Sequence, residues 1–324
     1  MRLRTRLLAL ASLSLAAIVV LPTQPALAAS TFSGYYTNSY GTRYYEGYVP
    51  SSYVPGSPAP LVVALHGCTQ TTGDFAAGSR LNQQAESKGF IVLYVQQSAY
   101  ANSALCWNWF TWSNQFRGAG EPSLIAGITS LVRSNFSVNP KRIHVTGVSA
   151  GASMAVVMGA TYPDVFASIA VHAGCEYNGY PCGSSGGPNP TTSGNDAYSA
   201  MGTYKRVVPV QVWHGTADTT VYPINGSQVV SQWAQTDDLA YDGIDNNDID
   251  DVADATTTGQ VSGGRSFTTY DYRGPGGSTV LQKVLVNGMG HAYSGGSSAG
   301  SYTDPSGPDA TKLSWDFFVA HPKP

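Results

Sequence analysis

Charge is scarce in this sequence. Only 11% of its 324 residues are Asp, Glu, Lys or Arg. Setting aside Arg2, Arg4 and Arg6 at the N-terminus, the 17 Lys and Arg fall by three against 20 acids, a formal charge of −6. A mildly acidic chain without a basic stripe lacks the electrostatic footprint of a nucleic-acid binder. Long apolar runs are absent after Leu21, so nothing later in the chain supplies the roughly 20 apolar residues of a membrane span. Cysteine is confined to Cys68, Cys106, Cys175 and Cys182. Their spacing, without histidines nearby, does not match a structural zinc site, and no metal is expected there. No internal repeat is visible, and no linker-like stretch introduces a second module.

The N-terminus is different in kind. Three arginines precede an apolar run from Leu7 to Leu21, which ends in prolines and the small-residue triplet Ala26-Leu27-Ala28. That pattern is a secretory signal peptide over residues 1–28, leaving a single domain over 29–324. Export places the chain in an oxidising compartment, where an even number of cysteines reads as two disulfides. Three connectivities are possible. Cys175 and Cys182 flank a Gly/Pro-containing loop, which favours a local bridge and leaves Cys68 with Cys106.

Six short apolar or β-branched runs read as buried strands: Leu61–Leu65, Phe90–Val95, Arg142–Gly147, Ser168–His172, Val207–Trp213 and Val280–Val286. Helical patterns cover Asp74–Lys88, Glu121–Asn135 and Gly151–Tyr162, with a final helix over Ala310–Ala320 covering one face. Strands alternating with helices imply a mostly parallel sheet with helices on both faces. The Tyr-rich opening, Tyr35 to Tyr53, reads as an antiparallel hairpin at the sheet edge. Two stretches look irregular, Gly183–Asn195 and Thr236–Gly264. The second carries the acidic run Asp242–Asp251, which contains no Glu and does not follow the EF-hand spacing. It is expected to be a solvent-exposed insertion without a structural metal, with calcium held by the oxygens of Asp242, Asp245, Asn247 and Asp250 as the alternative.

Gly-x-Ser-x-Gly occurs three times, centred on Ser149, Ser185 and Ser298. Only Gly147-Val148-Ser149-Ala150-Gly151 has a strand before it and a helix after it, the context that exposes a nucleophilic serine on a tight turn. A serine needs a base, and the base an orienting acid. In the α/β-hydrolase fold these follow in the order Ser, acid, His, at the ends of strands. Asp218 follows Val207–Trp213 and His291 follows Val280–Val286, so these two complete the expected triad. In the plainer reading Asp218 is a turn residue and His291 a surface residue. The turn after Leu61–Leu65, Leu65-His66-Gly67-Cys68, is the expected source of an oxyanion-binding N–H at Cys68, paired with that of Ala150. His144 and His172 sit within strands, His214 shapes its loop and His321 lies in the tail.

Together these elements resemble the poly(3-hydroxybutyrate) depolymerase family of esterases, which adjoins the acetylxylan and feruloyl esterases. The matching pieces are Leu65–Gln70, Cys106-Trp107-Asn108-Trp109-Phe110, Gly120-Glu121-Pro122, Gly147–Gly151, His214–Asp218 and Gly288–His291. The resemblance implies a secreted, cofactor-free serine esterase with Ser149, Asp218 and His291 as triad, Cys68 and Ala150 as oxyanion donors, and Trp107 and Trp109 as an aromatic wall beside the acyl site. The expected substrates are short-chain polyhydroxyalkanoate esters. Acetylated or feruloylated xylan is the alternative, and a non-catalytic binding protein on a hydrolase scaffold the reading of another class. The chain is expected to act as a monomer, away from membranes and nucleic acid.

Overall fold

Alternating short apolar runs and helices wind into one ten-stranded sheet. The structure, a computed structural model, describes residues 28–324; apart from Ala28, the expected signal peptide lies outside them. In chain order the elements are β1 (Ser30–Asn38), β2 (Gly41–Val49), β3 (Ala59–Leu65), α1 (Thr72–Ser79), α2 (Leu81–Lys88), β4 (Ile91–Val95), α3 (Gly120–Asn135), β5 (Val138–Val148), α4 (Ala150–Thr161) and β6 (Ile169–His172). They continue with α5 (Pro190–Ala200), β7 (Val210–Gly215), α6 (Pro223–Asp242), β8 (Ala255–Gln260), β9 (Ser266–Arg273), β10 (Thr279–Val286), the short strands β11 (Tyr293–Ser294) and β12 (Thr303–Asp304), and α7 (Ala310–Ala320).

The sheet order is β1-β2-β4-β3-β5-β6-β7-β10-β9-β8. From β4 to β10 the neighbours are parallel. The β1–β2 hairpin closes one edge and β9–β8 the other, both antiparallel. Every residue of β3 and β4 is buried, as expected of parallel strands covered on both faces. The two-residue period of a strand sorts β3 between two cores. Leu61, Val63 and Leu65 pack with residues of α3, α4 and α6 on one face. Val62 and Ala64 pack on the other with Phe75 of α1, Leu81 of α2 and Trp315, Phe317 and Phe318 of α7. This is the α/β-hydrolase architecture. Among the described residues, no helix is long and apolar enough to cross a membrane.

The structure departs from the sequence reading in three places. The helix expected over Asp74–Lys88 is broken at Arg80, which takes φ 61°. Tertiary bonds explain the break: the Gly78 carbonyl accepts the Ser297 N–H at 2.8 Å, and the Ser79 carbonyl accepts the Thr311 hydroxyl. The stretch 183–195 contains the start of α5, capped by Asn189, whose Oδ1 accepts the Thr191 N–H at 2.9 Å, with Pro190 in the first turn. The acidic run begins as the end of α6. Its remainder is gathered by one carboxylate, because Asp238 accepts the N–H groups of Asn246, Asn247 and Ile249 at 2.9, 3.1 and 3.2 Å. Ile249 is buried while the acids around it face solvent.

Both disulfides are present, Cys68–Cys106 and Cys175–Cys182. Inside the second loop, Glu176 is buried, and among the described residues the Ser193 hydroxyl is the one group that favours its ionised form. Burial pushes its pKa up to about 8. In the unfolded chain this carboxyl ionises near its ordinary 4.5. The folded state therefore holds a proton that the unfolded state has released, and stability falls as pH rises from about 4.5 to about 8. Glu176→Gln is expected to stabilise the protein by about 1–3 kcal/mol at pH 8 and hardly at all at pH 4. Urea melts of both proteins at the two pH values check this, and an equal effect at both would refute it.

Candidate active site

The turn between β5 and α4 carries Ser149 at φ 56° and ψ −122°. A non-glycine residue is held there at a cost of order 1–3 kcal/mol, sustained only when its surroundings enforce it. The flanking glycines are part of that enforcement. A Cβ on Gly147 would lie 2.3 Å from the Gly151 carbonyl oxygen, and one on Gly151 would lie 2.1 Å from that of Leu65. The Ser149 N–H is tied to the His172 carbonyl at 2.9 Å. The serine is thereby lifted above the ends of the central strands.

Asp218 follows β7 and His291 follows β10, which are parallel neighbours. Their loops are stitched together by Thr216 N to the Val286 carbonyl and Ala217 N to the Met289 carbonyl, both at 3.0 Å. Gly215 permits this approach, since a Cβ there would lie 2.2 Å from the Met289 oxygen. The result is a continuous relay. His291 Nδ1 lies 2.8 Å from Asp218 Oδ2, and His291 Nε2 lies 2.9 Å from Ser149 Oγ. A carboxylate can only accept, so Nδ1 carries the proton and Nε2 faces the serine as an acceptor.

The other oxygen of Asp218 accepts the N–H groups of Thr220 and Val221 at 2.9 and 3.0 Å. Burial by itself would raise this carboxyl. The imidazoles of His214 and His291 and the Val221 N–H outweigh burial and hold it well below the usual carboxylate range. It is therefore ionised at any pH where His291 could act. His214 sits 3.5 Å from Asp218 Oδ2 and is bonded through Nε2 to the Val221 carbonyl at 2.7 Å, so it buttresses the acid's loop from below.

Across from the relay runs the loop after β3. His66 is buried, which pushes its pKa down to about 4. As a neutral ring it donates from Nδ1 to the Gly67 carbonyl at 2.7 Å and accepts the Gln97 N–H at Nε2 at 3.0 Å. Gln70 Oε1 accepts the Gly67 N–H at 2.9 Å, and Thr69 N donates to the Ala104 carbonyl at 2.7 Å. With the Cys68–Cys106 bond, these contacts fix Cys68 beside the serine. Among the described residues, neither the Cys68 N–H nor the Ala150 N–H at the start of α4 has an acceptor. A cavity of about 320 Å³ opens here, lined by Gly67, Cys68, Thr69, Gln70, Val148, Ser149, Thr220, His291 and Tyr302.

The structure thus brings Ser149, Asp218, His291, Cys68 and Ala150 together. It does not bring Trp107 or Trp109 to the cavity. Trp107 is wholly buried and Trp109 nearly so, Trp107 lying beneath the loop with its ring centroid 5.9 Å from that of His66. Their segment is anchored by Glu121, whose carboxylate accepts Asn108 N at 2.7 Å and Asn108 Nδ2 at 2.8 Å and pairs with Arg43 at 3.1 Å. Trp107 supports the donor loop from the core, and neither tryptophan is among the residues lining this cavity. Ser185 and Ser298 lie in exposed loops, and neither lines this cavity or bonds to His291. Gln70, Thr220 and Tyr302 line the cavity without having been singled out. Gln70 lies within a recognised motif, but Tyr302 carries no local sequence signal because long-range pairing brings it here.

A family model described as esterase PHB depolymerase matches residues 44–247. The chain is 38% identical over 253 residues to poly(3-hydroxyalkanoate) depolymerase C of Paucimonas lemoignei, covering 75% of this chain and 57% of that protein. It is 36% identical over 227 residues to acetylxylan esterase A of Talaromyces purpureogenus, covering 65% of this chain and 57% of that one. It thus spans little more than half the length of these two relatives. Among solved structures it is similar to an acetyl xylan esterase from Aspergillus awamori, with a TM-score of 0.63 and 26% identity over 80% of this chain and 94% of that one.

Proposed function

The chain belongs to the esterase PHB depolymerase family, and on that premise we propose that it is a secreted serine esterase that cleaves carboxylic esters by acyl transfer through Ser149. The observation that carries this reading is the Ser149–His291–Asp218 relay beside two N–H groups without acceptors. Ser149 Oγ attacks the ester carbonyl carbon as His291 Nε2 takes its proton. The carbonyl oxygen becomes an oxyanion facing the Cys68 and Ala150 N–H groups, which are fixed before the charge develops. Collapse expels the alcohol, protonated by His291, and leaves an acyl group on Ser149. Water, deprotonated by His291, attacks that acyl group and frees the acid and the serine. Asp218 holds the imidazole in its productive tautomer and stabilises the imidazolium. The whole sequence is proton and acyl transfer, and it uses no cofactor.

For substrate, the leading reading is short-chain hydroxyalkanoate esters, supported by the 38% relative named a poly(3-hydroxyalkanoate) depolymerase. The second reading, acetylated xylan, is supported by the acetyl xylan esterase structure, 94% of which this chain covers. A turnover panel of hydroxybutyrate oligomers, acetylated xylan and methyl ferulate separates them. Hydroxybutyrate oligomers are expected to give the highest kcat/KM, and release of acetate from xylan alone would transfer the assignment to the second reading. A fluorophosphonate probe is expected to label wild type and not Ser149→Ala. Failure to label wild type would leave a binding protein on a hydrolase scaffold.

A further inference from the structure

Tyr302 stands out among the residues lining the cavity. Among the described residues it is the one large aromatic side chain there other than the imidazole of His291, and half of its surface is exposed. Its backbone lies at φ 50°, in the left-handed region that a bulky residue rarely adopts. Such a conformation persists where the surrounding structure over-determines it, and it clusters at functional sites. Here the constraint comes from both sides. The Tyr302 carbonyl accepts the Tyr293 N–H at 2.7 Å in the small β11–β12 pair. Immediately before it, Ser301 donates its N–H to Asp74 Oδ1 at 3.0 Å, and its carbonyl accepts Gln70 Nε2 at 3.1 Å. Gly300 packs so closely on α1 that a Cβ there would lie 2.5 Å from the Asp74 carbonyl oxygen.

The side chain is fixed as well. Thr69 Oγ1 donates to the Cys68 carbonyl at 2.6 Å, so the Tyr302 hydroxyl, 3.2 Å from Thr69 Oγ1, donates to it. Thr69 also has a positive φ, 63°. Two strained residues are thus joined across the mouth, one of them next to the Cys68 N–H. From this geometry we infer that Tyr302 is the specificity-determining wall of the acyl subsite, limiting the enzyme to short acyl groups.

The side of the ester it meets follows from the chemistry proposed above, on which this inference rests. The leaving oxygen must face His291 Nε2 to receive its proton, and the carbonyl oxygen must face Cys68 and Ala150. The acyl chain is the remaining substituent, and on this inference its path runs along the side of the cavity where the Tyr302 ring is tethered to the Cys68 loop. A fixed ring rejects added methylenes, each of which can be worth about tenfold or more in discrimination.

The test is kcat/KM for p-nitrophenyl esters of two, four, six and eight acyl carbons, with wild type, Tyr302→Ala and Tyr302→Phe. Tyr302→Ala is expected to raise the ratio of eight-carbon to two-carbon turnover by about tenfold or more. Tyr302→Phe keeps the ring and is expected to keep the wild-type ratio. A parallel series of acetates with alcohols of increasing size is expected not to move. Tyr302→Gly, for which a positive φ is free, is expected to fold with an unchanged or higher Tm and to show the widened profile. An unchanged acyl profile in folded Tyr302→Ala and Tyr302→Gly, or a change confined to the alcohol series, overturns the inference and leaves the esterase reading intact. A wild-type protein inactive on every ester overturns both.

Discussion

Ser149→Ala is expected to abolish ester turnover, a loss of about 10⁴-fold or more, because the members of a nucleophile–base–acid relay act as a unit. The substitution removes one oxygen. The backbone at this position is held by the His172 carbonyl and by the contacts of Gly147 and Gly151, so the fold should survive. Ser185→Ala and Ser298→Ala remove the same atom from sequences with the same Gly-x-Ser-x-Gly spacing and are expected to leave kcat/KM nearly unchanged. The contrast matters more than the loss itself. If a decoy substitution silenced the enzyme while circular dichroism stayed native, or if Ser149→Ala kept substantial turnover, the assignment of the nucleophile would be wrong.

Asp218→Asn is expected to cost about 10⁴-fold in kcat by a different route. Asparagine keeps one carbonyl oxygen, which can still accept the Thr220 and Val221 N–H groups now bonded to Oδ1. Its amide then points an N–H at His291 Nδ1 where a carboxylate oxygen stood at 2.8 Å. To accept that N–H, His291 must shift its proton to Nε2, which can no longer take one from Ser149. The nucleophile, the donor loop and the cavity all remain, and only the tautomer is wrong. Combining Asp218→Asn with Ser149→Ala should therefore cost little more than Ser149→Ala alone. Stopped-assay kinetics on all three variants, with thermal melts to verify folding, test the scheme. A strictly multiplicative double variant would mean that Asp218 acts independently of the serine.

The relay was legible in the sequence because each member is announced locally. A strand, a tight turn and a helix frame Ser149, and strand ends precede Asp218 and His291. The six central strands were likewise readable, since burial on both faces leaves continuous apolar runs such as Leu61–Leu65. What stayed hidden depends on contacts between distant segments. Arg80 breaks a well-patterned helix because Ser297 and Thr311 take the carbonyls of Gly78 and Ser79. Trp107 belongs to a recognised motif, yet the motif does not say whether an aromatic faces substrate or core, and Glu121 decides it by drawing that segment inward. Tyr302 enters the cavity through Asp74 and Tyr293, neither of which is its neighbour in sequence. The cap at Asn189-Pro190 was available and outweighed by the surrounding Ser, Gly and Pro.

The placement of the relay on β5, β7 and β10 also governs when in its life the chain can work. Ser149 and His291 are 142 residues apart, and Asp218 and His291 are 73 apart. Parallel neighbours cannot be joined by a tight hairpin, so each pairing waits on a crossover, and chains rich in such distant pairings fold slowly. A nascent polypeptide ending anywhere before residue 291 has no base at all. One that is complete but lacks the β7–β10 pairing has all three side chains and no relay. On the proposed esterase reading, hydrolysis is therefore a late reporter of folding: the relay forms only in the step that brings β10 beside β7.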